Sequence, residues 1–169
     1  MRKALALVLA CGGLAAVATA DPITPISFYA GYFSSLNFTD RYGNNTHFGG
    51  MELGAQESLL SLPIFGSAII GASVVFGDSI GGGSTGKMYR AFADYKTAPF
   101  PGLNLYGIAG LGLTYTTGGS FADQTGVNTE LGIGLPLKGI GPLGASIEAR
   151  YRWGRESATG FSLGLNLKF

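Results

Sequence analysis

The sequence predicts an all-β fold. It is an eight-stranded antiparallel up-and-down transmembrane β-barrel, preceded by a cleaved signal peptide. Three observations predict it. Apolar side chains alternate at period 2 with polar or very small ones. The chain is poor in charge: 12% of its 169 residues are charged, against roughly 25% in ordinary soluble domains. Glycine is frequent, with 29 of 169 residues, yet no Gly-X-Y period is visible and large apolar residues are plentiful. Collagen and disorder are therefore poor fits.

The N-terminus sets the compartment. Arg2 and Lys3 precede the apolar run Ala4–Ala10, and Ala18-Thr19-Ala20 is a small-x-small cleavage site before Asp21. This is the pattern of a secretory signal peptide. Residues 1–20 are set apart on that reading, and 21–169 form the barrel domain. A rival is a weak lipoprotein box, Val8-Leu9-Ala10-Cys11, in which Cys11 would be lipidated. If the usual cleavage holds, the mature chain loses its one cysteine, and disulfides cannot brace it.

Strands are expected near 25–34, 46–57, 67–77, 88–97, 104–117, 127–138, 145–154 and 160–169. The second has Met51, Leu53 and Ala55 against Glu52, Gly54 and Gln56. The fourth has Tyr89, Ala91, Ala93 and Tyr95 against Arg90, Phe92 and Asp94. The sixth sets Leu131, Ile133 and Leu135 against Glu130, Gly132 and Gly134. In the seventh, Ala145, Ile147, Ala149, Tyr151 and Trp153 oppose Ser146, Glu148, Arg150 and Arg152. In the eighth, Phe161, Leu163, Leu165, Leu167 and Phe169 oppose Ser162, Gly164, Asn166 and Lys168. Each such strand has one apolar face and one polar or small face.

Turns and loops alternate between these segments. Three apolar turns carry Pro and Gly: Leu62–Gly66, Pro99–Gly102 and Ile140–Gly144. They recur about every 40 residues, a spacing that also suits propeller blades. Each period here holds only two strands, so it is a hairpin. Polar loops lie between the turns, at 37–45, 78–87, 118–126 and 155–159. Ser58–Gly77 and Thr97–Ala122 carry no charge and have the length of membrane helices. Their internal Pro and Gly favour an apolar turn plus a strand instead.

Membrane strands need roughly 9–11 residues, and a sheet in lipid must close because hydrocarbon satisfies no open edge. Eight strands make a small closed barrel whose interior is just filled by side chains. Inward Gly132 and Gly134 would make room for long neighbours. Phe28, Tyr95 and Phe169 would lie near one rim, and Tyr32, Tyr89, Tyr115, Trp153 and Phe161 near the other, as interfacial girdles. The alternation alone does not separate this arrangement from a soluble sandwich with its apolar face inward.

The C-terminus favours the membrane. It reads Ser162-x-Gly164-x-x-Leu167-x-Phe169 and resembles the terminal assembly signal of bacterial outer-membrane barrels. The mature chain resembles the small eight-stranded OmpA-like and OmpX-like barrel family, with Leu105–Tyr115 and Ala145–Trp153 similar to that family's later strands. The resemblance implies residence in a bacterial outer membrane. It also implies contact with outer-membrane lipids and assembly by barrel-insertion machinery and periplasmic chaperones. A monomer is expected. The sequence stops at the last strand, so the peptidoglycan tethering of full-length OmpA-like proteins is not carried over.

Chemistry-bearing motifs are sparse. A net charge of +1 with no basic run gives no footprint for nucleic acid. His47 is the one histidine. Some eight-stranded barrels are lipid-modifying enzymes with a His-Ser pair at the outer rim, but here His47 precedes Phe48 and Gly49. Triads are spatial, so a distant serine could supply the nucleophile; the expectation is a non-enzyme with no cofactor and no metal. Gly81–Lys87 lacks the order of a phosphate loop and sits between strands.

The one constellation is the inward parity: Glu52, Arg90, Asp94, Glu130, Glu148, Arg150 and Arg152. It reads either as an ion network filling the lumen or as a gated polar path for water or small ions. If Gly141 centres the hairpin of strands six and seven, Glu130 faces Arg152, Gly132 faces Arg150 and Gly134 faces Glu148. A one-residue slip would send one strand's charges into lipid. The expected function is a structural or surface-interaction role; the alternatives are a narrow pore or small-molecule passage barrel and, third, an outer-membrane lipid-modifying enzyme.

Overall fold

A computed structural model describes residues 26–39, 45–80, 85–118, 123–140, 143–155 and 159–168. The expected signal peptide, Cys11, Gly141, the terminal Phe169 and the centres of the four polar loops lie outside these residues. Eight strands follow in order: β1 (Ile26–Thr39), β2 (Asn45–Leu62), β3 (Gly66–Ile80), β4 (Thr85–Thr97), β5 (Tyr106–Thr117), β6 (Gln124–Ile140), β7 (Leu143–Arg155) and β8 (Thr159–Lys168). Each pairs antiparallel with its neighbours in sequence, and β8 pairs with β1 to close the barrel. The fold is all-β and eight-stranded, as the period-2 pattern predicts. No described residue is helical, and Ser58–Gly77 is the end of β2, a turn and most of β3.

The strand bounds differ from the expected ones chiefly at the polar ends. β1 runs to Thr39 and β2 starts at Asn45; β3 runs to Ile80 and β4 starts at Thr85. Four of the nine residues of the expected loop at 37–45 and six of the ten at 78–87 are therefore strand. Ladder hydrogen bonds need only backbone groups, whereas alternation needs one dry face, so a hairpin continuing into water loses the signal before it loses the pairing. β2 also runs five residues past its expected end, to Leu62. Its register shifts between Ser58 and Leu60, and such an extra residue disrupts the ladder locally. Leu59 and Leu60 are consequently both exposed, which erases the alternation.

The β6–β7 register is the expected one: Glu130 opposes Arg152, Gly132 opposes Arg150 and Gly134 opposes Glu148. The faces are inverted relative to a soluble sandwich. Phe28, Tyr32, Met51, Leu53, Leu111, Leu113, Leu131, Ile133, Leu163 and Leu165 point outward and are exposed. Glu52, Arg90, Asp94, Glu130, Glu148, Arg150 and Arg152 are buried inside. On the outer wall, Tyr89 and Tyr115 stack at 6.5 Å, and Tyr151 lies 5.6 Å from Trp153 and 4.8 Å from Phe161.

Candidate functional site

The lumen holds every inward charge that the sequence singles out. Three strands contribute most of it. β7 places Glu148, Arg150 and Arg152 on successive inward positions; β4 adds Arg90 and Asp94, and β6 adds Glu130. Arg150 is the centre. It donates to Glu148 at 2.6 and 3.0 Å, to Asp94 at 2.9 Å and to Glu130 at 2.5 Å. Arg152 reaches both Glu52 oxygens, at 2.9 and 3.1 Å, and Glu130 at 2.6 Å. Glu52 also accepts from Ser73 at 2.8 Å. Charge-assisted bonds of this kind are roughly twice as strong as neutral ones, and so many partners offset the cost of removing the ions from water.

Arg90 is held differently. Its Nη2 lies 3.0 Å from Glu130 and 4.0 Å from Asp94. None of its three guanidinium nitrogens makes an aligned hydrogen bond among the described residues. The short distance and the missing bond are compatible: the attraction is Coulombic, with the N–H groups aimed elsewhere. The guanidinium carbon lies 4.4 Å from the Phe92 ring centroid, where the ring face attracts a cation.

Sequence reasoning missed Lys96, which is buried and pairs with Glu148 at 2.5 Å. The signal was present, since Lys96 shares the parity of Arg90 and Asp94. Its inclusion balances the buried charges among the described residues: Glu52, Asp94, Glu130 and Glu148 against Arg90, Lys96, Arg150 and Arg152. Uncharged partners were also missed. The Tyr106 hydroxyl donates to Glu148 at 2.6 Å, and Asn166 does so at 3.1 Å. Tyr29 and Ser162 share a hydrogen bond at 3.0 Å.

The inward glycines make room, with partners partly different from those expected. A Cβ on Gly132 would stand 2.7 Å from the Ala149 carbonyl and 3.2 Å from Arg150 Cγ. One on Gly134 would overlap the Tyr106 ring rather than Glu148. One on Gly112 would crowd Asn128 at 2.6 Å and Arg90 at 2.8 Å.

Three layers fill the lumen along its axis. At the end bearing the apolar turns, a cavity of about 330 Å³ is lined by Lys96, Tyr106, Gln56, Asn166 and Lys168 among others. Lys96, the ion partner of Glu148, joins this cavity to the network. Inside the network, the gap among Tyr29, Glu52, Arg90, Phe92, Arg150 and Arg152 is about 10 Å³, at most the space of a single water. Toward the polar loops, Phe33, Phe48, Val75 and Met88 form a buried apolar cluster. On β2, Phe48 lies four residues beyond Glu52 in that direction; on β4, Met88 lies two beyond Arg90.

Two other singled-out features are placed. The His47 ring is exposed, with Nδ1 3.3 Å from the Ser35 carbonyl. Of the terminal signal, Ser162 and Gly164 face the lumen, and Leu167 pairs with Phe28 on the outer wall.

No protein-family model matches the chain, and no curated protein matches it. Among solved structures, the crystal structure of Neisserial surface protein A is similar. The TM-score is 0.56 at 15% sequence identity, covering 86% of this chain and 96% of that one. At that identity the likeness concerns the fold, which is the same kind of small barrel.

Proposed function

We propose that the protein resides in a bacterial outer membrane as a barrel with a structural or surface-interaction role and a lumen closed to bulk solute. One observation carries the reading: the molecule is inside out. Leu, Ile, Met and aromatic side chains cover its outer wall, while eight charged side chains among the described residues are buried within. Water disfavours large contiguous apolar surfaces, whereas hydrocarbon suits this wall and requires the closed sheet behind it. The fold likeness to a Neisserial surface protein adds support, as does the terminal pattern Ser162, Gly164, Leu167 and Phe169. Lipids are then the partners of the wall. Insertion machinery and periplasmic chaperones are its partners during assembly, and the barrel is a monomer.

The polar loops face outward on this reading, and the apolar turns face the periplasm, because outer-membrane barrels have short periplasmic turns and longer external loops. The test is gel mobility in detergent with and without boiling, joined to tag accessibility on intact cells. A compact species that shifts on heating is expected. Epitopes inserted at Gly82 and Gly119 should be reached by antibody, and one at Gly141 should not. No heat-dependent shift, together with helical circular dichroism, overturns the barrel; the reverse tag pattern overturns the orientation.

A further inference from the structure

The apolar turns are unusual for a barrel end that is supposed to meet water. Residues 58–66 and 97–105 contain no charged side chain. Ile64 is 82% exposed, and Phe65 and Leu103 are each 67% exposed. Leu59, Leu60 and Phe100 are exposed beside them. These are not loose loops. The Ala98 amide donates to the Phe65 carbonyl at 3.1 Å, and the Tyr95 hydroxyl donates to the same oxygen at 2.5 Å. The second turn closes on itself through Phe100 and Leu105 at 2.7 Å. Asn104, at φ 50°, ties it to the Pro136 carbonyl of β6 at 3.3 Å. Two turns and a neighbouring strand thus form one ledge.

The height of the apolar wall says what covers this ledge. On β4 the outward apolar residues run only from Tyr89 to Tyr95. At roughly 3.3 Å per residue that is about 20 Å of strand. At a tilt of about 35–45° it is about 15 Å of height, against an apolar band of about 25 Å. The band cannot extend upward, because Lys87 is the next outward residue, its ammonium 5.7 Å from the Phe76 ring centroid. The missing height of about 10 Å has to come from below Tyr95. What lies below Tyr95 is Phe65, joined to it directly.

We infer that the β2–β3 and β4–β5 turns are seated in the acyl region of the adjoining lipid leaflet and complete the hydrophobic band on that side. The inference rests on the membrane reading above. Its partner is phospholipid hydrocarbon, since the surface is apolar, uncharged and continuous with the lipid-facing wall.

The test uses the full mature chain in phosphatidylcholine vesicles, with bromines on the acyl chains for one arm and aqueous iodide for the other. Trp153, the one native tryptophan, reports on the wall in the parent protein. In a Trp153→Phe background, Phe65→Trp and Ile64→Trp report on the ledge. Ile64 is the more exposed site, so its variant keeps the test open if Phe65→Trp fails to fold. Emission from the ledge should be quenched at least two-fold by bromolipid and be several-fold less sensitive to iodide than free tryptophan. Iodide quenching without bromine quenching, while Trp153 is still quenched by bromine, overturns the inference and leaves the membrane reading standing. Shielding from both quenchers means a second copy covers the ledge, which also overturns it. Loss of bromine quenching at Trp153 itself overturns the membrane reading.

Discussion

Glu130 is the residue on which the lumen turns. It lies within 3.0 Å of Arg90, Arg150 and Arg152 and has no exposed surface. Its removal leaves three buried cations short of an anion, whereas removal of Arg152 leaves Glu52 with Ser73 still bonded. Breaking a buried ion pair typically costs about 3–5 kcal/mol, and Glu130→Ala is expected at or near that range. Arg152→Ala should cost less in the Glu130→Ala background than in the parent, by about 0.5–3 kcal/mol of coupling. Denaturant unfolding of the four proteins in lipid measures the cycle. Strict additivity would mean the two side chains do not meet. Arg90, which lacks an aligned hydrogen bond, should tolerate replacement better: Arg90→Met is expected to destabilise less than Arg150→Met, which strips Asp94, Glu130 and Glu148 together.

At the scale of one strand, β8 carries two demands in one sequence. Gly164 belongs to the terminal pattern that resembles an assembly signal, and it also lies against Tyr29. A Cβ there would stand 2.5 Å from the Tyr29 ring and 2.7 Å from the Ala30 carbonyl. Backbone cannot yield as a flexible side-chain tip can, so Gly164→Ala overpacks the lumen. The expected loss is about 1–3 kcal/mol, read from unfolding of protein refolded in detergent without any cellular machinery. Deletion of Phe169 should instead leave that unfolding curve within about 0.5 kcal/mol of the parent while lowering the amount assembled in cells. Equal stability of Gly164→Ala and the parent would show that the glycine serves assembly alone. The β2–β3 turn makes a second backbone demand: Gly66 sits at φ 127°, a region L side chains rarely adopt.

On the proposed reading, two layers close the lumen of the whole molecule. The ion network leaves about 10 Å³ at its centre, and the Phe33, Phe48, Val75 and Met88 cluster caps it on the loop side. Side chains fill an eight-stranded interior in general; here one layer is ionic and the next apolar. An ion crossing the lumen has to break the first and lose its hydration in the second. The parent protein should therefore give no steady porin-like conductance in planar bilayers. Phe33→Ala with Phe48→Ala should remain closed, because the network is intact below. Steady large conductance from the parent would sink the closed-lumen reading.

The sequence by itself determined the number and kind of strands and, except for Lys96, the set of charges that share one face, and it excluded one-residue slips of the β6–β7 register, because period 2 is a local property and each charge marks its face. It did not determine which face was inside. Met51 and Leu53 opposite Glu52 are compatible with a dry core or with a lipid wall, and only closure of β8 onto β1 puts Glu52 in the lumen. Nor did it show that Arg152 and Glu52, 100 residues apart, share two hydrogen bonds, or that Gly134 yields to Tyr106 on β5 rather than to Glu148. The first contact depends on curvature, which brings β7 and β2 together across the barrel; the second depends on the β5–β6 register, which sets Tyr106 opposite Gly134. The hairpin ends were hidden for the opposite reason: where both faces are wet, backbone pairing continues after side-chain alternation stops. The apolar turns were visible as sequence, but their union into one ledge required the Phe65 carbonyl to meet Tyr95 and Ala98 in three dimensions.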